Sequence, residues 1–217
     1  MTQRRDRRGA FIVVEGPDGA GKTTLAGILG ERVRGLGLEV VAVREPGGTP
    51  LAEAARRVVL DRTLAVSPLA ELFLILAART DLVDGVIRPA LAAGRVVVSD
   101  RYELSTEAYQ VAGRQLPRRS VLAANRLATG GLKPDLTLVL DVPAQVGLAR
   151  LAASGRGRDR IEGAEGAVHE RVSQAFAAVR GRGIVHLDAT HSADLVARRG
   201  WDMVRRLLGK LFPDSRV

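Results

Sequence analysis

Apolar residues along this chain follow two rhythms. Short unbroken runs alternate with longer stretches in which they recur every three or four positions. The runs predict strands over 10–15, 38–43, 96–100, 135–141 and 184–188. Continuous rather than alternating apolarity, clearest in Val96-Val97-Val98, marks parallel strands covered on both faces. Leu25, Ile28, Leu29, Val33 and Leu36 set a helical period after residue 21, closed by Gly35 and Gly37. Further helices are predicted over about 50–60, 67–93, 102–112, 117–129, 142–153, 164–179 and 192–211. Ser67 and Pro68 read as cap and first helical position of the long one, and Pro89 as its bend. Residues 1–9 read as a frayed tail. Strands alternating with helices throughout predict an α/β fold: a parallel sheet with helices on both faces and no internal repeat.

Between the first strand and first helix lies Gly16-Pro17-Asp18-Gly19-Ala20-Gly21-Lys22-Thr23-Thr24, which fits G-x-x-x-x-G-K-[ST] in the strand–loop–helix setting that this phosphate-binding loop needs. Its amides and the helix N-terminus converge on one spot and favour an anion there. Lys22 adds a point charge for the β- and γ-phosphates of a nucleotide, and Thr23 offers a hydroxyl to Mg²⁺. Gly16, Gly19 and Gly21 let the backbone approach closely. A second loop, Arg44-Glu45-Pro46-Gly47-Gly48-Thr49, follows the second strand at its carboxyl end, the edge where open α/β sheets bind ligands. Asp100 ends the valine strand in position to reach the metal directly or through water, and Arg101 follows it beside the expected phosphates.

The composition narrows the classes. With 217 residues and 46% hydrophobic content, the chain makes one domain with a sizeable core and a small appended lid. It has no cysteine, which removes disulfide and thiol chemistry and fits a reducing cytoplasm. The apolar run after Arg4–Arg8 is too short for a signal peptide, and nothing reaches the roughly 18 apolar residues of a membrane span. His169, His186 and His191 lack metal-ligand spacing, so no zinc is expected. A net charge of +9 fits nucleic acid, phosphorylated small molecules or a solvated arginine surface. Aromatic content of 3% argues against stacking platforms for single strands.

Residues 154–163, Ser-Gly-Arg-Gly-Arg-Asp-Arg-Ile-Glu-Gly, are too polar to pack and too glycine-rich to hold one shape, and read as a mobile lid. Its Arg156, Arg158 and Arg160, together with Arg56 and Arg101, make more cations than hydrolysis by water requires. A site joining two mutually repelling phosphates needs several, and one well-placed arginine is worth about 10³–10⁵ in rate.

The segments EGPDGAGKTT (15–24), REPGGTPLAE (44–53), AAR (77–79), DRYELSTEAYQ (100–110), KPDLTLVLDV (133–142), GLAR (147–150) and GRDRIE (157–162) occur in an order that resembles the bacterial thymidylate kinases, from about Ala10 to the last helix. The resemblance implies a P-loop nucleoside monophosphate kinase fold with a five-stranded parallel sheet and a short lid. It implies transfer of the γ-phosphate of ATP, with Mg²⁺, to dTMP, giving dTDP. It also implies a cytoplasmic homodimer with no stable nucleic-acid partner and no membrane association. Gly16 to Thr24 would hold ATP, with Thr23 and Asp100 on the metal. Lys22, Asp18, Arg101, Arg156, Arg158 and Arg160 would serve catalysis. Arg56 and Arg101 match residues that grip the acceptor phosphate, with Glu45 and Pro46 beside them. Arg79 and Gln110 match the pair that reads the thymine edge, Thr106 lies beside the base, and Tyr109 crowds the sugar's 2′ position. Asp159 and Glu162 follow the lid arginines and approach the acceptor. Gly19 and the lid arginines place the chain among members with glycine in the loop and arginines in the lid.

One position departs. The family usually has a phenylalanine stacking on thymine four residues before Arg79, and here Ile75 stands there, with Phe73 about 200° round the helix. Two alternatives stay open at this point: a kinase for another nucleotide or nucleoside, and a P-loop regulator or nucleic-acid-binding ATPase. The final helix carries Trp201, Val204, Leu207, Leu208 and Leu211 for the core or a subunit face. Leu69, Leu72, Leu76 and helix 117–129 are the candidates for a dimer contact.

Overall fold

The computed structural model describes residues 8–155 and 159–213. Its strands are β1 (Phe11–Glu15), β2 (Val40–Arg44), β3 (Val96–Asp100), β4 (Leu136–Asp141) and β5 (Ile184–Asp188), all parallel in the order β2-β3-β1-β4-β5. β1 is buried along its whole length between β3 and β4. The edge strands β2 and β5 are only partly covered.

Alternate residues of β1 feed two cores, as the two-residue period of a strand demands. Ile12 and Val14 face α1 (Lys22–Gly35) and α9 (Ala193–Leu211), packing with Leu25, Leu29, Val33, Val204 and Leu208. Phe11 and Val13 face the other side with Leu82, Val83, Ile87, Leu91 and Tyr102. The sheet is therefore sandwiched as predicted. Its connections change direction on either side of β1, which opens a crevice at the carboxyl ends of β1 and β3.

The remaining helices are α2 (Pro50–Leu60), α3 (Pro68–Leu82), α4 (Arg88–Ala92), α5 (Glu103–Thr106), α6 (Arg118–Thr129), α7 (Ala144–Ala153) and α8 (Gly166–Ala178). Side-chain caps start α2, α3 and α9: Thr49 accepts from the Ala52 amide, Ser67 from that of Ala70 and Ser192 from that of Leu195.

Two expected helices differ. The long one does not run unbroken over 67–93, because a π-helical turn at Val83–Ile87 separates α3 from α4 and the Arg88 amide bonds to the Val83 carbonyl. Pro89 lacks an N–H and crowds the carbonyl four residues back, and the widened turn just before it absorbs that mismatch. The helix expected over 102–112 is a single turn of α5 followed by a π-helical segment, Glu107–Gly113. Residues 8 and 9 are not frayed: Arg8 pairs with Asp135, and the Gly9 amide donates to Leu91 O at 2.8 Å. Residues 1–7 lie outside the described residues. Leu72 and Leu76 are buried within the chain against Val121 and Ala128, which removes them from the candidate dimer face.

Candidate active site

A cleft of about 570 Å³ opens at the carboxyl ends of β1, β2 and β3. It is lined by the phosphate-binding loop, by Glu45, Pro46 and Arg56, by Ile75 and Arg79 of α3, by Asp100, Arg101, Ser105, Thr106, Tyr109 and Gln110, and by Asp159 and Glu162.

Close backbone packing sets the loop's shape. A Cβ on Gly19 would lie 2.1 Å from the Gly147 carbonyl oxygen, and one on Gly147 would lie 2.3 Å from that of Asp18. Gly19 also has φ +74. The glycine at this position is thus imposed by the start of α7. Gly16, Pro17, Ala20, Gly21 and Thr24 complete the turn into α1, where Lys22 is buried and donates to Pro17 O at 2.6 Å. Desolvation, reinforced by the charge of Arg101, lowers the Lys22 ammonium to about 8, against the pull of Asp18, Asp100 and Glu15. Thr23 Oγ1 donates to Asp100 Oδ2 at 2.5 Å.

Arg101 and Lys22 both act on the charge of Asp18. The Arg101 backbone is left-handed, φ 75, unusual for an arginine. The turn is held by its amide donating to Val14 O at 2.9 Å. The guanidinium pairs with Asp18, donates to Ser105 Oγ at 3.1 Å and lies over the Tyr109 ring with its carbon 5.1 Å from the ring centre. Burial opposes its charge, but Tyr109 and the carboxylates of Asp18, Asp100 and Glu15 outweigh burial and hold Arg101 above the usual arginine value. Burial likewise opposes ionisation of Asp18, yet Arg101 and Lys22 win and keep its carboxyl low. Asp18 Oδ2 is buried without a hydrogen-bond partner.

At the other end of the cleft Arg79 is fully buried. It donates to Glu45 Oε2 at 2.6 Å, Thr106 Oγ1 at 2.7 Å, Asn125 Oδ1 at 2.5 Å and Tyr102 O at 3.0 Å. All three guanidinium nitrogens have protein partners, so any bond to a base exchanges one of them. Glu45 Oε1 is buried and unpartnered, and burial, against the charge of Arg79, pushes its carboxyl up. Ile75 lines the cleft one turn before Arg79, while Phe73 is 58% exposed and points away as its helical position predicts. Arg56 donates to Pro46 O at 2.8 Å. Asp159 caps the turn that follows it, accepting from the Ile161 and Glu162 amides at 2.9 Å each.

Not every expected residue converges here. Arg156 and Arg158 lie outside the described residues. Arg160 does not line the cleft: it pairs with Glu71 at 2.7 Å and donates to Val59 O at 2.8 Å. Four residues with a part in the site were given no role from the sequence. Glu15 accepts from the Tyr102 amide at 2.8 Å, the Ser105 amide at 3.1 Å and the Ser105 hydroxyl at 2.6 Å, and so braces the turn carrying Arg101. Asn125 and Glu71 hold Arg79 and Gln110 from behind. Arg150 lines the cleft. A lone carboxylate ending an apolar strand was the signal for Glu15, and GLAR (147–150) contained that for Arg150.

Comparison with known proteins places these features in a lineage. A family model described as thymidylate kinase matches residues 14–199. The thymidylate kinase of Pseudomonas putida (strain GB-1) is 50% identical over 171 residues, covering 77% of this chain and 80% of its own. That of Synechococcus sp. (strain JA-2-3B'a(2-13)) is 48% identical over 197 residues, covering 89% and 93% respectively.

Proposed function

The chain belongs to the thymidylate kinase family and is a kinase that converts dTMP to dTDP, and from that premise we propose how its residues divide the work. ATP is the phosphoryl donor, seated on Gly16 to Thr24 with Lys22 against its β- and γ-phosphates. Thr23 and Asp100 present two hard oxygen donors side by side, a set that fits Mg²⁺ retaining phosphate and water oxygens as its other ligands. When bound, the ion neutralises charge on the β- and γ-phosphates.

The acceptor phosphate sits between Arg101 and Arg56. A phosphate monoester has its second pKa near 6, so dTMP reaches the site largely as a dianion and needs no general base. One of its phosphate oxygens bonds to the γ-phosphorus as the bond from that phosphorus to the β–γ bridging oxygen breaks, and ADP leaves. The protein's task is alignment and charge neutralisation. Asp18 holds Arg101 in place beside the acceptor's sugar and phosphate. Tyr109 packs under the sugar, and Ile75, Arg79, Thr106 and Gln110 enclose the base. Residues 154–163 form the lid. Arg156 and Arg158 are proposed to bring cations to the transferred phosphoryl, while Arg160 anchors the lid. Asp159 and Glu162 face the acceptor.

The observation that carries this reading is a pair of cations, buried Lys22 and part-buried Arg101, lining a nucleotide-sized cleft together with the Asp18 carboxylate that Arg101 pairs with. An ADP-release assay with dTMP, dUMP, dCMP and thymidine tests it. Turnover should be fastest with dTMP and negligible with thymidine, which lacks the anion that Arg101 grips. ATP hydrolysis indifferent to dTMP would overturn it.

We also propose a homodimer. Leu69 and Phe73 on α3 are 51% and 58% exposed, and Leu127 on α6 is 84% exposed. α3 and α6 pack against each other, so these side chains lie on neighbouring elements. No helix among the described residues is long and apolar enough to cross a membrane. A cytoplasmic location is proposed from the nucleotide chemistry and the absence of cysteine.

A further inference from the structure

Behind the base end of the cleft, Glu71 of α3 is 1% exposed and both its oxygens are occupied. Oε1 accepts from Gln110 Nε2 at 2.9 Å and Arg114 Nε at 3.1 Å. Oε2 accepts from Arg114 at 3.0 Å and Arg160 at 2.7 Å. Burial pushes this carboxyl upward, but the hydrogen bonds from Arg114, Gln110 and Arg160 and the charge of Arg114 hold it below the usual value. It is therefore an ionised group that only accepts hydrogen bonds.

That fact fixes a neighbour. The Gln110 amide has one end that donates and one that accepts, and by size the two are nearly interchangeable. Against an acceptor-only carboxylate only the NH₂ end fits. One N–H is committed to Glu71, which leaves the second N–H and the carbonyl oxygen side by side for the cleft that Gln110 lines. This donor-and-acceptor edge complements a pyrimidine that has N–H at position 3 and a carbonyl at position 4. Cytosine, with a bare nitrogen at 3 and an amino group at 4, requires the reversed amide, which would set the Gln110 oxygen against the Glu71 carboxylate.

We propose that Glu71, clamped by Arg114 and Arg160, is a specificity-positioning residue: it locks the Gln110 amide in the one orientation that accepts thymine-type bases and rejects cytosine. The inference rests on the placement of the base beside Gln110. It also assigns Arg160, on the lid side of the cleft, to base selection rather than to the transferred phosphoryl group.

The test compares kcat/KM for dTMP and dCMP in the wild-type enzyme and three variants, with thermal melts to confirm folding. In Glu71→Gln the new amide donates or accepts, so Gln110 is free to turn. The preference for dTMP over dCMP should fall about tenfold or more, chiefly through KM for dCMP, since mispaired polar groups are the source of such rejection. Should that variant melt early, Arg114→Met/Arg160→Met reaches the same end. Without its cations the buried Glu71 takes up a proton, and its O–H accommodates the reversed amide. A merely structural loss would lower both substrates in proportion and leave the ratio unchanged, and an unchanged ratio in the folded variants overturns the proposal. Gln110→Leu separates the two ways of failing. If it too leaves the ratio unchanged, the placement of the base beside Gln110 is wrong. If it collapses the ratio while the other variants do not, only the role of Glu71 falls.

Discussion

Glu15 is a fully buried carboxyl that burial pushes up to about 7, against the pull of the Ser105 hydroxyl, the charge of Arg101 and the Tyr102 and Ser105 amides. Between its ordinary value of 4.5 and about 7 the folded protein holds a proton that the unfolded chain has released. Stability from this group is therefore greatest at the acid end of that window and declines as pH rises through it, by about 3 kcal/mol in all. Glu15→Gln retains an acceptor for the two amides and a donor for the Ser105 hydroxyl. Denaturant titrations at pH 5 and pH 7 should show its pH slope flattened relative to wild type, and an identical slope would mean that Glu15 is not the titrating group. Arg101→Ala removes both the proposed acceptor grip and the partner of Asp18. It should cost about 10³ or more in kcat/KM with only a modest change in melting temperature. At the base end, Ile75→Phe should tighten dTMP binding by up to about 1–3 kcal/mol, the worth of an aromatic stacked on a base. Calorimetric titration with dTMP measures it, and an unchanged affinity would show that the aliphatic side chain already covers the ring as well.

Element by element, what could be read in advance was what local rules govern. The valine run of β3, the Ser67-Pro68 start of α3 and the loop between β1 and α1 each follow from residues within a few positions of one another. The π-helical segments did not, because a widened turn breaks the period on which the reading relies. In Glu107–Gly113 the Arg114 amide reaches back to the Tyr109 carbonyl, and that extra residue sets where Tyr109 and Gln110 point. Nor could the Glu71 cluster be foreseen: its partners stand 39, 43 and 89 positions away, distances over which no sequence period operates. The approach of Gly19 to Gly147 is of the same long-range kind and gives an element-level prediction. Gly147→Ala places a methyl 2.3 Å from the Asp18 carbonyl oxygen. Either the loop or α7 must yield, at about 1–3 kcal/mol for the overpacking. ATP-dependent activity should fall with the melting temperature, whereas Gly166→Ala, at a position where an added Cβ meets nothing within 4 Å, should leave activity intact. Equal effects of the two substitutions would show that the contact does not shape the loop.

The whole molecule carries a net charge of +9, and Lys22 and Arg101 line the cleft proposed for the two phosphates. The same excess charge would suit a protein that binds nucleic acid, and salt tells the two apart. For a kinase steered by its field, ionic strength acts on encounter with the nucleotide. The relevant screening length shrinks from about 30 Å at 0.01 M to about 8 Å at 0.15 M. kcat/KM for dTMP should therefore fall smoothly as salt is raised, while kcat, set inside a water-excluded site, stays nearly flat. A nucleic-acid-binding ATPase would instead show hydrolysis stimulated by DNA, with a DNA affinity whose logarithm falls steeply against that of salt in proportion to the phosphates neutralised. Steady-state kinetics over that salt range, with and without duplex DNA, decides the matter. Salt-insensitive kcat/KM would mean that the surface arginines are merely solvated and that only the cations lining the cleft serve the substrates. Stimulation by DNA would assign the excess charge to a second partner.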